Sequence, residues 1–169
     1  EDMIEKLVMA ENDEIPYPVG ENLGRRIECD EAFEDYLDYL LTSAGCRFDG
    51  LNVVLDCANG ASYRVAPALF KKLGANITVI GNDPDGVNIN KKCGSTHMEK
   101  LMKTVKEKNA DVGFAYDGDA DRLLAVDENG EMVDGDAIMS MLAIAMKKEG
   151  TLVRNTLVVT IMSNMGVDI

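Results

Sequence analysis

The sequence has 169 residues, 46% of them hydrophobic, which suits one domain or one domain carrying pieces of its neighbours. Thirty acidic residues against 17 basic ones leave a net charge of −13, which argues against nucleic-acid binding, because that needs clustered Lys and Arg. Trp is absent and aromatics are 5%, so the core must be aliphatic and Met-rich. Cys29, Cys46, Cys57 and Cys93 form no C-x-x-C pair, and His97 is the single histidine, which argues against a structural zinc site. A reducing, cytoplasmic compartment is the default for such a chain. No apolar stretch approaches the length of a membrane span. The chain opens Glu-Asp-Met, and the expectation is a piece of a longer protein.

Residues 1–26 read as a connecting segment, with one short helix over Met3–Ala10 and a break at Ile15-Pro16-Tyr17-Pro18-Val19-Gly20. A helix is expected from Asp30 as its N-cap, with Phe33, Leu37, Leu40 and Leu41 on one face and Gly45 as its end. Leu51–Leu55 is a Val-rich run that predicts a buried strand leading into Asp56-Cys57-Ala58-Asn59-Gly60. A helix follows with Val65, Ala66, Leu69, Phe70 and Leu73 on one side and Gly74 as its stop. Ile77–Ile80 predicts a second strand, and Gly81–Ser95 a polar loop. Thr96-His97-Met98-Glu99 has the spacing of a capping box before a helix that turns Met98, Leu101, Met102 and Val105 inward. Val112–Tyr116 predicts the third strand.

After this point the pattern changes. Arg122–Val126 predicts a strand after only a few residues, and Asn129-Gly130 signals a two-residue hairpin turn into Met132-Val133. Asp134 should cap a helix with Ala137, Ile138, Met141, Leu142, Ala145 and Met146 inward, closed by Gly150. Leu157–Ile161 predicts one further strand. The expected class is α/β: a mixed, mostly parallel sheet flanked by helices, with an antiparallel hairpin after the loop at residues 117–122.

That loop carries the chemistry. In Tyr116-Asp117-Gly118-Asp119-Ala120-Asp121-Arg122, three carboxylates alternate with the two smallest residues. Small separators let the backbone curl until the carboxylates converge. Convergence without a cation is costly, because like charges repel. A divalent ion removes the repulsion, and Mg²⁺ takes hard oxygen ligands while keeping positions for water or substrate phosphate. A calcium EF-hand does not fit. Its sixth position would be Arg122 in place of Gly, and its later positions read as a strand. A D-x-D-x-[TV] phosphatase loop is weakened by Asp121 at the fifth position. Arg122 suits a phosphate-orienting role, since a guanidinium grips two oxygens at once, and it suits equally a salt bridge to one of the three aspartates.

Asp56–Gly60 lies at the end of a strand but lacks G-x-G-x-x-G, so a structural turn is expected. Cys93–His97 leads into a helix N-terminus, where an anion can sit, although local hydrogen bonding by His97 is the stronger expectation.

Four stretches together resemble the α-D-phosphohexomutases. They are Val53–Ala61, Pro84–Asn90, Cys93–His97 and Asp117–Arg122. Cys93-Gly94-Ser95-Thr96-His97 and Ala120 point to the phosphoglucosamine mutase branch, with the phosphoglucomutase/phosphomannomutase branch as the alternative. The resemblance implies residues 1–26 as the end of a first domain and its linker, 27–150 as the metal-binding second domain, and 151–169 as the start of a third. It implies that Asp117, Asp119 and Asp121 bind Mg²⁺ and that Arg122 contacts the phosphate. A phosphoserine on the first domain, absent from this chain, would exchange its phosphoryl group with a hexosamine phosphate through a bisphosphate intermediate. No catalytic nucleophile is expected here, so the chain alone should be inactive. Its partners would be the remaining domains, with no nucleic acid and no membrane. A cation-binding module without catalysis is the reading from a different class.

Overall fold

The computed structural model describes residues 1–10, 17–29 and 31–168. The chain divides into two compact units, Glu1–Glu31 and Ala32–Ile169. In the first, helix α1 spans Asp2–Met9 and buries no residue, and a short 3-10 turn spans Gly20–Asn22. The expected N-cap at Asp30 and the Ile15-Pro16 part of the break lie outside the described residues, and residues 17–19 form no helix or strand.

The second unit is built on a five-stranded sheet in the order β2-β1-β3-β4-β5. Strand β1 (Asn52–Asp56) pairs in parallel with β2 (Asn76–Ile80) and with β3 (Val112–Tyr116). β4 (Leu123–Val126) and β5 (Met132–Val133) return antiparallel. The mixed sheet and its late hairpin match the expected class.

Side chains alternate across β1, so each face of the sheet receives its own helix. Val53, Leu55 and Cys57 pack with Ala66 and Phe70 of α3 (Ser62–Lys72). Val54 packs on the opposite face with Leu101 and Val105 of α4 (Glu99–Lys108). Val54, Leu55, Leu101 and Val105 are 0% exposed. Full burial of such side chains contributes about 1.5–3 kcal/mol each. The hydrophobic face of α2 (Glu31–Ala44) sinks Leu37, while Lys72 of α3 reaches Glu34 at 2.9 Å and Asp38 at 3.4 Å.

Three local expectations are corrected. Thr96 does not cap α4: the helix begins at Glu99, has no side-chain cap, and Thr96 Oγ1 lies 3.1 Å from His97 Nδ1 instead. The His97 N–H donates to Gly94 C=O at 3.0 Å, so a turn occupies the residues the capping box would need. Second, Asn129-Gly130 is not a two-residue connection. The Gly130 N–H donates to Asp127 C=O, the Asp127 N–H donates to Glu131 C=O, and only Gly130 of the pair has positive φ, at 72°. That is a three-residue loop, a tight turn followed by a left-handed glycine. Asp127 selects it, because its Oδ1 accepts from Asn129 N–H at 3.0 Å and from Glu131 N–H at 2.7 Å.

Third, the C-terminal elements lack the cover their sequence implies. Helix α5 (Gly135–Glu149) is capped as expected, with Asp134 Oδ1 accepting from Ala137 N–H at 2.9 Å. Yet it has no buried residue, and Met141, Leu142 and Met146 are exposed. An apolar groove of about 540 Å³ stays open along it, lined by Phe114, Leu123, Ala125, Val133, Ile138 and Met141. Leu157–Ile161 forms no strand, and Val158 and Ile161 are exposed. A strand needs a neighbour for its N–H and C=O groups, and no strand among the described residues pairs with this one.

The hairpin gives a pH prediction. The Glu131 N–H bond chiefly holds the Asp127 carboxyl below the usual carboxylate range, against an opposing push from burial and with help from Asn129. A depressed folded pKa stabilises above the unfolded value of about 3.9 and is lost as pH falls through the folded value. The stability advantage of the wild type over Asp127→Asn should therefore hold at neutral pH and shrink below about pH 4. Urea unfolding across pH 2–7 measures it, and a gap independent of pH would contradict the assignment.

Candidate metal centre

The three parallel strands end on the same edge of the sheet. β1 exits into residues 57–61, β2 into 81–98 and β3 into 117–122. The chain runs from β1 to β2 on one side and returns to β3 on the other, and open α/β sheets place ligands at such a reversal.

The loop after β3 is short because β4 pairs back at once: Tyr116 faces Leu123, and the Asp117 N–H donates to Arg122 C=O at 3.3 Å. The chain reverses through Ala120, whose φ is +64°, an uncommon conformation for a residue with a Cβ. The turn brings the carboxylates together. One oxygen each from Asp117, Asp119 and Asp121 lies within 4.8 Å of the others. Asp117 is 2% exposed at the base, while Asp119 and Asp121 face solvent.

The cluster is polarised. Burial acts to raise the Asp117 carboxyl, but the Arg122 N–H and guanidinium outweigh it and hold the group below its ordinary range. Oδ1 accepts the Arg122 N–H at 3.1 Å, and Oδ2 accepts Nε–H at 2.7 Å. Asp121 moves the other way, raised first by the Asp119 charge, then by burial and by Asp117. Arg122 Nε also lies 3.5 Å from Asp121 Oδ1, and 73% of its side chain stays exposed. The expected salt bridge from Arg122 to the cluster is present. One cation serves three anions, so the site keeps an excess of negative charge and oxygen lone pairs directed at one small volume. That donor set fits a hard divalent ion. Beside Asp119 opens a pocket of about 350 Å³, lined by Tyr36, Leu40, Ala61, Val65 and Tyr116.

The loop is held by its backbone from two sides. Ala61 N–H donates to Gly118 C=O at 2.8 Å, and Ser95 N–H donates to Tyr116 C=O at 2.9 Å. Both approaches are so close that glycine is required. A Cβ on Gly60 would lie 2.2 Å from Gly118 O, and one on Gly94 would lie 2.7 Å from Tyr116 O. The Asp56–Gly60 turn is structural, as expected, with Gly60 N–H donating to Cys57 C=O at 2.8 Å across Ala58 and Asn59, both at positive φ. The Asn59 side chain carries the next loop: Oδ1 accepts Asp83 N–H at 3.0 Å and Nδ2 donates to Asn88 C=O at 3.4 Å.

Cys57 is a buried core residue whose thiol burial pushes up to about 11. His97 is exposed and bonds only locally, as the sequence suggested, with no helix N-terminus at its own position. The sequence places Asp56 in a turn but does not show the bonds its carboxylate makes, nor the contacts of Gly60 and Gly94 on the aspartate loop. The available signal was an acidic residue closing an apolar strand, directly before a glycine-ended turn.

Known proteins resemble this chain in sequence and fold. Residues 34–130 match the family described as phosphoglucomutase/phosphomannomutase, alpha/beta/alpha domain II, and the chain belongs to that family. Among curated relatives, the phosphoglucosamine mutase of Acetivibrio thermocellus is 54% identical over all of this chain and 38% of its own length. That of Clostridioides difficile is 57% identical over 90% of this chain and 34% of its own length. Among solved structures, a phosphoglucomutase/phosphomannomutase family protein from Burkholderia thailandensis aligns with a TM-score of 0.60 at 28% identity, over 70% of this chain and 26% of its own. The fold also matches N-acetylglucosamine-phosphate mutase, a member of the α-D-phosphohexomutase superfamily, with a TM-score of 0.52 at 23% identity over 70% of this chain and 30% of its own. The chain thus spans 38% of the length of its first curated relative.

Removing the guanidinium should be visible at Asp117. In Arg122→Ala the backbone N–H bond survives, but the side-chain bond and positive charge are lost, so the Asp117 carboxyl should titrate at higher pH than in the wild type. Carboxyl-carbon NMR titration reads this directly, and an unchanged midpoint would refute the pairing.

Proposed function

We propose that this chain is the metal-binding domain of a phosphoglucosamine mutase, a phosphohexomutase that interconverts glucosamine 6-phosphate and glucosamine 1-phosphate. The observation that carries the reading is the convergence of Asp117, Asp119 and Asp121 at the strand-end edge of a domain whose relatives bear that name. Asp117, Asp119 and Asp121 would hold Mg²⁺. When bound, the ion offsets the negative charge of a phosphoryl group during transfer. Asp117 forms the fixed base of the site, because Arg122 already locks both its oxygens. Asp119 and Asp121 supply the exposed ligands. The outward part of Arg122 orients a phosphate oxygen beside the aspartates.

In the longer protein, a phosphoserine from another domain would give its phosphoryl group to the sugar phosphate. The bisphosphate would then reorient and return the other phosphoryl group to the serine. We place residues 1–26 in the preceding domain and its linker, 27–150 in this domain and 151–169 in the next. No helix among the described residues is long and apolar enough to cross a membrane, and a cytoplasmic setting suits a sugar-phosphate enzyme. A phosphatase reading is disfavoured by Asp121 at the fifth position of a D-x-D-x-[TV] loop.

Titration with Mg²⁺ or Mn²⁺ tests the site. The wild-type chain should bind weakly, because the phosphoserine ligand is supplied from elsewhere, and Asp119→Asn should bind at least about tenfold more weakly still. Equal binding would overturn the assignment. The chain alone should show no turnover of glucosamine 6-phosphate with Mg²⁺ and a bisphosphate primer in a coupled assay. Clear turnover would contradict the need for the other domains, whereas activity restored by a serine-bearing domain in trans would distinguish the mutase from a cation module without catalysis.

A further inference from the structure

We propose that Asp56 is a positioning residue for the divalent-ion loop, acting through the backbone segments it joins and not by touching the ion. This rests on the metal-binding reading above.

Asp56 is the last residue of β1 and is fully buried, at 0% exposure, beside Val53, Val54, Leu55 and Cys57. A carboxylate in such surroundings is tolerated only when its oxygens are satisfied. Both are. Oδ1 accepts the Ala58 N–H at 3.0 Å, and Oδ2 accepts the Gly94 N–H at 2.9 Å. Each of these amides begins one side of the hold on the aspartate loop. Ala58 opens the turn that ends at Ala61, whose N–H holds Gly118 C=O. Gly94 precedes Ser95, whose N–H holds Tyr116 C=O.

Two further contacts converge on the same place. Ala58 C=O accepts the Asn90 N–H at 2.8 Å, and a Cβ on Gly118 would lie 2.8 Å from Asn90 Nδ2. The exit of β2 is shaped around the carboxylate as well, because a Cβ on Gly81 would lie 2.5 Å from Asp56 Oδ1. The loops leaving β1 and β2 are thus fastened to one side chain, and together they fix the segment from Tyr116 to Gly118. Asparagine cannot replace it. One oxygen would still accept, but the amide NH₂ would face a second N–H donor. The loop would keep its ligands and lose the hold that makes them converge.

The test is Mn²⁺ titration of the chain, read by water-proton relaxation, for the wild type, Asp56→Asn and Asp119→Asn. With its fold retained by circular dichroism, and with Val54 and Leu55 amides still protected from exchange, Asp56→Asn should bind about tenfold more weakly. Wild-type affinity in Asp56→Asn overturns the inference. Absence of binding by the wild type overturns the metal reading and this inference together, an outcome distinct from parity between wild type and Asp56→Asn. If Asp56→Asn does not fold, the wild type decides the matter, because coupling is reciprocal. Saturating Mg²⁺ should slow hydrogen exchange at the Gly94 and Ala61 amides. Unchanged exchange at both, with metal bound, overturns the inference.

Discussion

Three carboxylates crowded into one turn repel each other, and the Arg122 side chain offsets this at Asp117 and Asp121. The turn that gathers them is held by two backbone hydrogen bonds, from Ala61 N–H to Gly118 C=O and from Ser95 N–H to Tyr116 C=O. These bonds come from loops that leave β1 and β2, so the site exists only when the parallel part of the sheet is formed. A site held this way is preorganised: the cost of gathering like charges is met during folding, and a cation bound there would meet ligands already in place.

The rest of the second unit serves that arrangement. Helices α3 and α4 cover opposite faces of β1 and fix where its exit points. The immediate antiparallel return of β4 keeps the aspartate loop short, and Asp127 stabilises the turn that follows. Where the sheet offers no neighbour, no further strand forms among the described residues. The face of α5 and the Leu157–Ile161 run are apolar in sequence and exposed in structure.

Strands, helices and the candidate site were legible in the sequence wherever one local rule governed them. Val112–Tyr116 matched its predicted bounds, and Asp134 capped α5, because alternation and capping act over a few residues. Errors arose where a competing hydrogen bond or a missing neighbour decided the outcome. Thr96 lost its capping role to the turn that His97 N–H closes on the Gly94 carbonyl. Asn129-Gly130 was diverted by the Asp127 side chain, which turned a two-residue connection into three. Leu157–Ile161 has strand composition without a strand to pair with. The bond from Gly94 to the Asp56 carboxylate was not legible, because the two lie 38 positions apart and nothing local announces it. The three aspartates could be read because their spacing is itself the signal. What holds them in place could not.

The most direct measurement is a crystal structure of this chain soaked in Mn²⁺, with anomalous difference density to locate the ion. The account predicts one strong peak bound by Asp117, Asp119 and Asp121 together, at about 2.0–2.2 Å from an oxygen of each, with the Gly118 and Tyr116 carbonyls still held by Ala61 and Ser95. A peak bound by only one of the three, or located away from the loop while the carboxylates stay converged, would contradict it.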